Sequence, residues 1–244
     1  MSFFANRISL IFCEMCGRYV LAKDYEELKA RFGLTHSDPP RRAGFTMKPR
    51  YNIAPQTDNP VIIKGDSREL KLMQWGLVPH WAKDPKIGYK MINARAESVH
   101  EKPSFREPFK KQRCLVPANG FYEWPVDPRN PKKKVPLYIH LKSDELFAFA
   151  GIWSIWGEGE TLKKTYSLIT TEPNPMLAKY HDRMPVILSR AEEDQWLNPD
   201  TSVSNLQKLL DAHPEKEMEA YEVSTLVNKP INDSVENIKP VKVS

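Results

Sequence analysis

The chain has 244 residues, of which 41% are hydrophobic, 27% charged and 10% aromatic. This composition is typical of a folded globular protein and excludes a disordered chain, while the length allows one large domain or two small ones. The net charge of +5 permits an anionic partner without requiring one, and no apolar run approaches the ~18 residues of a membrane span.

The first fifteen residues, MSFFANRISLIFCEM, differ in character from the remainder of the chain. Arg7 and the apolar run after it are reminiscent of a signal peptide, but the run is short and no small-residue cleavage site comes after it. Residues 1–15 are therefore interpreted as a leader or a misassigned start, with Met15-Cys16 as the functional beginning. The three cysteines cannot form a disulfide framework, which indicates a reducing compartment and a cytoplasmic protein.

Three helices are predicted from their capping signals. Asp24 and Glu27 form a capping box that begins a helix ending at Phe32, where Gly33 suits the C-terminal cap. Ser189 and Glu192 repeat the signature. A third helix is expected at about Ser204–His213, with Leu206, Leu209 and Leu210 on one face and Pro214 beyond its end.

The rest of the chain reads mainly as short strands separated by turn residues. Asp127–Lys134, DPRNPKKK, is predicted to be an exposed hairpin loop. Its lysines are expected to be solvated, with binding to DNA as the alternative. Many strands and few helices predict an α+β fold, one domain built on a curved, barrel-like antiparallel sheet. The predicted strands are Val61–Lys64, Glu69–Trp75, Cys114–Pro117, Leu137–Leu141, Phe147–Trp153, Thr165–Thr170 and Val186–Leu188.

Cys16 becomes chemically unusual if it is the first residue of the mature chain. An N-terminal cysteine is a 1,2-aminothiol, and its α-amine has a pKa of about 7.7–8, so part of it is neutral at physiological pH. The amine can condense with an aldehyde to a Schiff base, and the thiol can then add to the same carbon to give a thiazolidine. Inside the chain, Cys16 would be only a small apolar residue.

Cys13-x-x-Cys16 also matches half of a zinc site or a redox motif. A zinc site needs about two more ligands at suitable spacing, and only Cys114 and scattered histidines remain. A thioredoxin-like motif would lie between a strand and a helix of a βαβ unit, which the sequence does not predict. We therefore expect neither a metal site nor a redox function for Cys13 and Cys16.

Other candidates for chemistry lie in the second half of the chain. Glu123, wedged between Tyr122 and Trp124, suits a general acid or base because apolar surroundings raise the pKa of a carboxyl group; the alternative is a surface glutamate on an edge strand. His181 comes after a predicted helical turn and could shuttle protons or contact phosphate. It could equally be a structural histidine.

Two further segments combine polar and aromatic side chains. Asn93 and Arg95 face the same side if their segment is extended. In the segment Trp75–Trp81, WGLVPHW, two indole rings could stack on unpaired bases, although this segment taken alone favours a place in the core for both rings.

Taken together and in this order, these segments resemble the SOS response-associated peptidase (SRAP) family of abasic-site processing proteins. The resemblance covers nearly everything from Met15 onward. The matching stretches are MCGRY (Met15–Tyr19), RYNIAP (Arg50–Pro55), WGLVPHW (Trp75–Trp81), NARAE (Asn93–Glu97), RCLVPANGFYEW (Arg113–Trp124), TTEPN (Thr170–Asn174), HDRMPVIL (His181–Leu188), VSTLVN (Val223–Asn228) and Asn232-Asp233.

The resemblance implies a single SRAP domain over residues 16–244 that recognises abasic sites in single-stranded DNA. It implies a covalent thiazolidine crosslink through Cys16, and it implies no metal or organic cofactor. Either the start is misassigned or the bond between Met15 and Cys16 is cut, by the protein itself or by an aminopeptidase; the family name records a proposed peptidase activity of the self-processing kind, and a lyase activity is a further expectation. A monomer that associates with the nucleoid while engaged on DNA is expected, with no membrane contact. The implied roles are crosslinking for Cys16, its orientation for Asn93, proton transfer and ring opening for Glu123 and His181, phosphate binding for Arg18, Arg50, Arg95 and Arg183, and base contacts for Trp81 and Trp124.

Two other functions use the same residues. A cysteine peptidase acting on other proteins would use Cys16, His181 and Glu123 as a triad and would need no free amine. A noncatalytic single-strand DNA-binding module would need the arginines and tryptophans but not Cys16. A denaturant-resistant complex with abasic DNA separates all three.

Overall fold

The computed structural model describes residues 17–34 and 47–241. Fifteen strands and four α-helices lie in these ranges, together with six short 3₁₀ helices. The strands are β1 (Tyr19–Leu21), β2 (Arg50–Ile53), β3 (Asp58–Lys64), β4 (Arg68–Trp75), β5 (Asn93–Arg95), β6 (Arg113–Ala118), β7 (Gly120–Glu123), β8 (Val126–Asp127), β9 (Asn130–Lys134), β10 (Leu137–Leu141), β11 (Phe147–Trp156), β12 (Lys163–Thr171), β13 (Met184–Pro185), β14 (Ile187–Leu188) and β15 (Met218–Glu222).

The α-helices and 3₁₀ helices connect these strands. The α-helices are α1 (Tyr25–Phe32), α2 (Arg106–Lys111), α3 (Arg190–Leu197) and α4 (Val203–Gln207). The 3₁₀ helices are Pro85–Lys90, Gly159–Thr161, Leu177–Lys179, Glu215–Glu217, Thr225–Asn228 and Val235–Ile238. None of the helices in the described ranges has the length and apolar character needed to cross a bilayer.

Five strands close into a barrel in the order β12-β4-β3-β6-β11, and β11 pairs back onto β12. The short strands β5 and β13 extend β12, and β14 extends β11. All of these pairs are antiparallel except those of β4 and β5 with β12. Closure leaves no free edge along the five barrel strands and buries their inward side chains, among them Trp75 and Tyr166, whose rings stack.

A second sheet, in the order β15-β10-β7-β1-β2, packs against the barrel. Because side chains alternate along a strand, Tyr19 and Phe121 face the barrel, where both rings contact Phe149 at 6.0 Å between centroids. Val20 and Tyr122 face the other way and are covered by Val223 and Val227 of the C-terminal segment. The protein is therefore layered as barrel, sheet and C-terminal segment.

The predicted fold class, α+β with a barrel-like core and few short helices in one domain, is confirmed. All seven predicted strands are present, with ends that shift by a few residues. The two predicted capping boxes are also present, at Asp24 before α1 and at Ser189 before α3, and Gly33 adopts the left-handed conformation. The Asp127–Lys134 segment is an exposed hairpin, as expected, formed by β8 and β9.

The third helix was predicted too long. The helix α4 starts after the Ser202 cap and ends at Gln207, and tighter i→i−3 turns come after it. Leu206, Leu209 and Leu210 are buried nonetheless, as the pattern predicted. The short strands β1, β2, β5, β7, β13 and β15 were missed because two to five residues are too few for a clear alternation.

Arg113 joins three elements around the barrel. Its side chain is buried at the start of β6 and donates to the carbonyl oxygens of Trp196, Phe109 and Asn198 at 2.6, 2.9 and 2.6 Å, and to that of Lys110. These acceptors belong to the ends of α2 and α3, so one guanidinium satisfies the terminal carbonyls of both helices.

Arg113→Met should lower the free energy of unfolding by about 2–4 kcal/mol, because it leaves several buried carbonyl groups without donors. Chemical denaturation measures this change. The control is Arg190→Met, whose side chain is 63% exposed and pairs with Glu145 in solvent. It should cost less than about 1 kcal/mol. Equal losses in the two variants would contradict the role given to Arg113.

Candidate functional site

The predicted site residues fall on six segments of the described chain, while Met15 and Cys16 lie outside the described residues. Another thiol, Cys114, lies on β6 and is fully buried. Burial raises the pKa of the Cys114 thiol well above its usual range, so the thiolate that a nucleophile needs is scarce there.

Glu123 is the last residue of β7, a central strand between β10 and β1, and only 4% of it is exposed. This placement excludes the alternative of a surface glutamate on an edge strand. In the β1–β7 ladder Tyr19 lies opposite Phe121, and the amide of Tyr122 donates to the carbonyl of Arg18 at 3.0 Å. The same register, continued toward the start of the chain, brings Gly17 opposite Glu123 on the side of the sheet that faces the barrel.

Asn93 begins β5, which is extended as predicted and parallel to β12. The residue before it, Ile92, accepts a hydrogen bond from the indole of Trp75 at 2.8 Å. The Trp75 ring also packs edge-on against Tyr19 at 5.2 Å between centroids. Trp75 thus lies between the start of β1 and the start of β5. Asn93 is 9% exposed, whereas Arg95 at the end of the strand is exposed.

Arg18 and Trp124 lie together on the outer side of the sheet. The Arg18 guanidinium is 5.9 Å from the centre of the Trp124 ring, which is within the range of a cation–π contact. Arg18 also donates to the side chain of Asn52 at 2.7 Å and to the carbonyl of Val227 at 2.9 Å. The Trp124 indole donates to Asn228 at 2.8 Å. Both predicted DNA contacts therefore also hold the C-terminal segment.

Asn52 and Asp233 complete this connection and were not predicted to have a role. Asn52 is 1% exposed, and its amide donates to the carbonyls of Val227, Lys229 and Asn232. The Asp233 carboxylate accepts from the backbone amides of Tyr51 and Asn52 and pairs with Arg50. The turn over residues 227–233 is consequently fixed onto β2.

Arg183 is buried, and its guanidinium has two acceptors. It pairs in a bidentate manner with Glu97, at 2.8 and 3.0 Å, and donates to the carbonyl of Thr170. Glu97 lies two residues beyond Arg95, and Thr170 is opposite Arg95 in the β12–β5 ladder. Arg183 therefore ties the segment before β13 to the end of β5. No sequence signal could have revealed the Glu97 contact, because 86 positions separate the two residues.

His181 lies just after the 3₁₀ helix Leu177–Lys179, as the sequence predicted, and 22% of its side chain is exposed. The backbone amide of Arg183 donates to its Nδ1 at 3.0 Å. In the neutral imidazole that hydrogen bond requires a lone pair on Nδ1, so the ring proton lies on Nε2. Asp182 is 3.0 Å from the same Nδ1 and can pair with it when the ring is protonated. The ring can therefore donate or accept a proton with a carboxylate beside it.

The remaining candidates are open to solvent. Arg95 is exposed, and 50% of Trp81 is exposed in the loop after β4. The indole of Trp156 donates to the carbonyl of Ala82 at 2.7 Å and thereby anchors that loop to the end of β11. The site thus combines buried polar groups at strand ends with exposed aromatic and cationic groups around them.

The match to a family model defines the class of this protein. The model of the SOS response associated peptidase (SRAP) family matches residues 15–230, and the chain belongs to this family. All of the predicted site residues lie within the matched range.

Individual relatives and solved structures agree with that assignment. The chain is 47% identical to the abasic site processing protein YoqW of Bacillus subtilis, over 92% of this chain and 99% of that protein. It is 33% identical to the abasic site processing protein HMCES of Xenopus tropicalis, over 78% of this chain and 65% of that protein. A crystal structure of a protein from Bacteroides thetaiotaomicron is similar with a TM-score of 0.81 at 31% identity, covering 93% of this chain and all of the other.

Glu97→Gln should destabilise the protein at neutral pH and have less effect in acid. Partial burial raises the pKa of Glu97, but the hydrogen bonds and charge of Arg183 outweigh it and lower the pKa overall. A carboxyl group whose pKa is lower in the folded protein than in the unfolded chain stabilises the fold at pH values above its unfolded pKa of about 4.3. This stabilisation is lost as the pH falls through the pKa of the folded protein. We expect a loss of about 1 kcal/mol at pH 7, since half of the Glu97 side chain is exposed.

Thermal unfolding of the parent and the variant at pH 7 and pH 3 measures this difference. Glu145→Gln is the matched control, because Glu145 pairs with Arg190 in solvent. At pH 3 the parent should no longer be more stable than Glu97→Gln, while the control Glu145→Gln should differ little from the parent in stability at either pH. An advantage over Glu97→Gln that persists unchanged at pH 3 would exclude a charged Glu97 as its source.

Proposed function

We propose that this protein processes abasic sites in single-stranded DNA by bonding to them covalently through Cys16 as the N-terminal residue. The observation that carries the proposal is the β1–β7 pairing, in which Tyr19 lies opposite Phe121 and the amide of Tyr122 donates to the carbonyl of Arg18. Extrapolated by one more residue, this register places Gly17 opposite Glu123, whose carboxyl group is buried. Cys16 is one peptide bond from Gly17, about 3.8 Å between α-carbons. Family membership adds support, because the similar proteins YoqW and HMCES are named abasic site processing proteins.

The chemistry needs both nucleophiles of an N-terminal cysteine. The α-amine adds to the C1 aldehyde of the open sugar, and loss of one water molecule gives a Schiff base. The thiol then adds to the same carbon, its proton passes to the nitrogen, and a thiazolidine ring closes. No electrons are gained or lost, so the sequence of steps requires no cofactor.

Exposure of the amine requires that residues 1–15 be absent from the active protein. Hydrolysis of the Met15-Cys16 bond consumes one water and releases the amine of Cys16, whether the protein cleaves itself or another peptidase does so. We propose self-processing, in keeping with the family name. The family match begins at residue 15, immediately before Cys16.

Glu123 is the proposed acid–base group for opening the sugar ring. An abasic sugar is mostly a closed hemiacetal, so a proton must leave the C1 hydroxyl and another must reach the ring oxygen before the aldehyde forms. A carboxyl group inside a protein can perform both transfers, and such catalysis typically contributes ~10²–10⁴-fold. Asn93 is proposed to orient Cys16, and His181 to hydrogen-bond the reacting oxygen or nitrogen through Nε2 and to assist proton transfer during Schiff-base formation.

The DNA strand is proposed to run along the exposed cationic and aromatic groups. Arg95 has a solvated guanidinium for a phosphate, and Trp81 and Trp124 offer faces for unpaired bases. Arg18, Arg50 and Arg183 already bind protein acceptors. We propose that they contact phosphate through their remaining N–H donors, since a guanidinium has five, and that they also hold the site together. Three further properties remain predictions. They are a lyase activity, a peptidase activity toward other proteins, and a monomeric state.

Cys16→Ala should abolish the covalent adduct and leave noncovalent DNA affinity within about twofold, because the aminothiol forms the bond while other groups bind the strand. Mature protein is incubated with an abasic oligonucleotide and with an intact one, and the products are separated under denaturing conditions. Cys114→Ala is the control and should crosslink like the parent. A stable adduct of undiminished yield from Cys16→Ala would refute the proposal.

Intact-mass measurement of the adduct tests the leader in the same experiment. The crosslinked species should begin at Cys16, since a peptide nitrogen cannot form a Schiff base. A peptidase acting in trans would instead cleave peptides without needing the free amine. A DNA-binding module without chemistry would give no denaturant-resistant complex with any variant.

Glu123→Gln should slow crosslinking by roughly 10²-fold or more while DNA affinity changes little. The change keeps the size of the side chain but removes its titratable group. Single-turnover kinetics from pH 5 to pH 9 measure the rate, and equilibrium binding measures the affinity. Equal rates for parent and variant at every pH would assign Glu123 a purely structural role. His181→Gln, measured in parallel, separates Schiff-base formation from ring opening.

A further inference from the structure

The exposed hairpin β8–β9, here called the basic ribbon (Val126–Lys134), occupies a defined position next to the site. Glu123, the last residue of β7, pairs with Leu137, the first residue of β10. Residues 124–136 are therefore an outgrowth of the β7–β10 hairpin that begins at the proposed acid–base residue. Trp124 is its first residue, and the ribbon begins after Pro125.

The basic ribbon is anchored at its root and open elsewhere. Val126 pairs with Lys134, and the amide of Val135 donates to the carbonyl of Pro125 at 3.0 Å. Beyond these bonds most of the ribbon is exposed, including 54% of Val126. A two-stranded ribbon that packs so little contributes little to the core. The lysines of the basic ribbon are therefore not explained by a contribution to the stability of the fold.

The charges of the basic ribbon are unbalanced. Asp127 accepts hydrogen bonds from the side chain and the backbone amide of Arg129, at 3.0 and 2.9 Å, and these bonds lower its pKa. Arg129 also lies 3.5 Å from Glu222. The one acidic group of the ribbon is thus neutralised by its own arginine. Lys132 and Lys133 are exposed, and within the described ranges the one electrostatic effect seen for them is that the charge of Lys133 helps to lower the pKa of Asp127.

We propose that the basic ribbon is an arm that binds the phosphate backbone of the DNA flanking the reacting nucleotide. The assignment rests on the proposed function, because it takes DNA at the site as given. Lysine ammonium groups are flexible point charges that suit phosphate and read no base. Their position beyond Glu123 and Trp124 lets them hold the strand as it leaves the reacting sugar. The DNA contact is then independent of sequence, as an abasic lesion requires.

The test compares two matched pairs of lysines. Lys132→Gln/Lys133→Gln removes two charges from the ribbon. Lys110→Gln/Lys111→Gln removes two from α2, which packs on the barrel strands β6 and β11. Binding of a labelled intact single-stranded oligonucleotide is measured between about 0.05 and 0.3 M salt, a range over which screening of exposed charges changes strongly. The ribbon variant should flatten the slope of log affinity against log salt by about 1.4, and the control by far less.

Two further measurements make the outcome decisive. Lys132→Glu/Lys133→Glu keeps the charge that prevents strand edges from pairing but reverses its sign. If the lysines serve only that purpose, this variant binds DNA like the parent, and the proposal is wrong. Slopes that change equally in the ribbon and α2 variants, or not at all, also overturn it. Unchanged unfolding midpoints confirm that the variants are folded.

Failure of the ribbon proposal can be distinguished from failure of the proposed function. With an abasic oligonucleotide at saturating concentration, the ribbon variants should form as much covalent adduct as the parent, because Cys16 is unchanged. Absence of adduct in the parent contradicts the crosslinking chemistry, whereas the salt slopes with intact DNA still report on the ribbon.

Discussion

Asn119 imposes the constraint on which the arrangement of this protein depends. It is the single residue between β6 of the barrel and β7 of the second sheet, so the chain passes from one layer to the other at this point. Its backbone amide donates to the carbonyl of Val20 at 2.8 Å, and its side chain accepts from the amide of Ala22 at 2.7 Å. These two bonds hold β1 at the crossing. The start of the described chain is thereby aligned with the end of β7.

That alignment brings the buried carboxyl group of Glu123 close to the start of the described chain, next to the residue at which we propose that the mature protein begins. Glu123 is the residue at which β7 ends, on the face shared with Tyr19 and Phe121. The barrel supplies the other side through Trp75, whose indole fixes Ile92 and with it the start of β5. A rigid frame of this kind positions reactive groups more closely than loops do. The proposed chemistry then needs only a free amine, a thiol and proton transfer.

The arginines have more than one role in this architecture. Arg113 satisfies the ends of two helices, Arg183 ties two strand ends together through Glu97, and Arg18 and Arg50 hold the C-terminal turn through Asn52 and Asp233. The charges of Arg113 and Arg183 are buried, and they are tolerated because each has acceptors within hydrogen-bond distance. Under the proposed function, Arg18, Arg50 and Arg183 also contact phosphate through their remaining N–H donors, together with charges on exposed elements such as Arg95 and the basic ribbon.

The sequence alone determined the local features and the chemistry that single residues can perform. The capping boxes of α1 and α3, the longer strands, the α+β class and the exposed hairpin result from short-range patterns, and the potential of Cys16 lies in its functional groups. Only the tertiary structure decided that Glu123 is buried on a central strand, that Arg183 pairs with Glu97, and that Asn52 and Asp233 hold the C-terminal turn. Those contacts join residues separated by 86 to about 180 positions, and no local pattern encodes which distant partner a buried polar group will find. The physical reason is that burial forces every polar group to be satisfied, while the packing of the layers selects the partner.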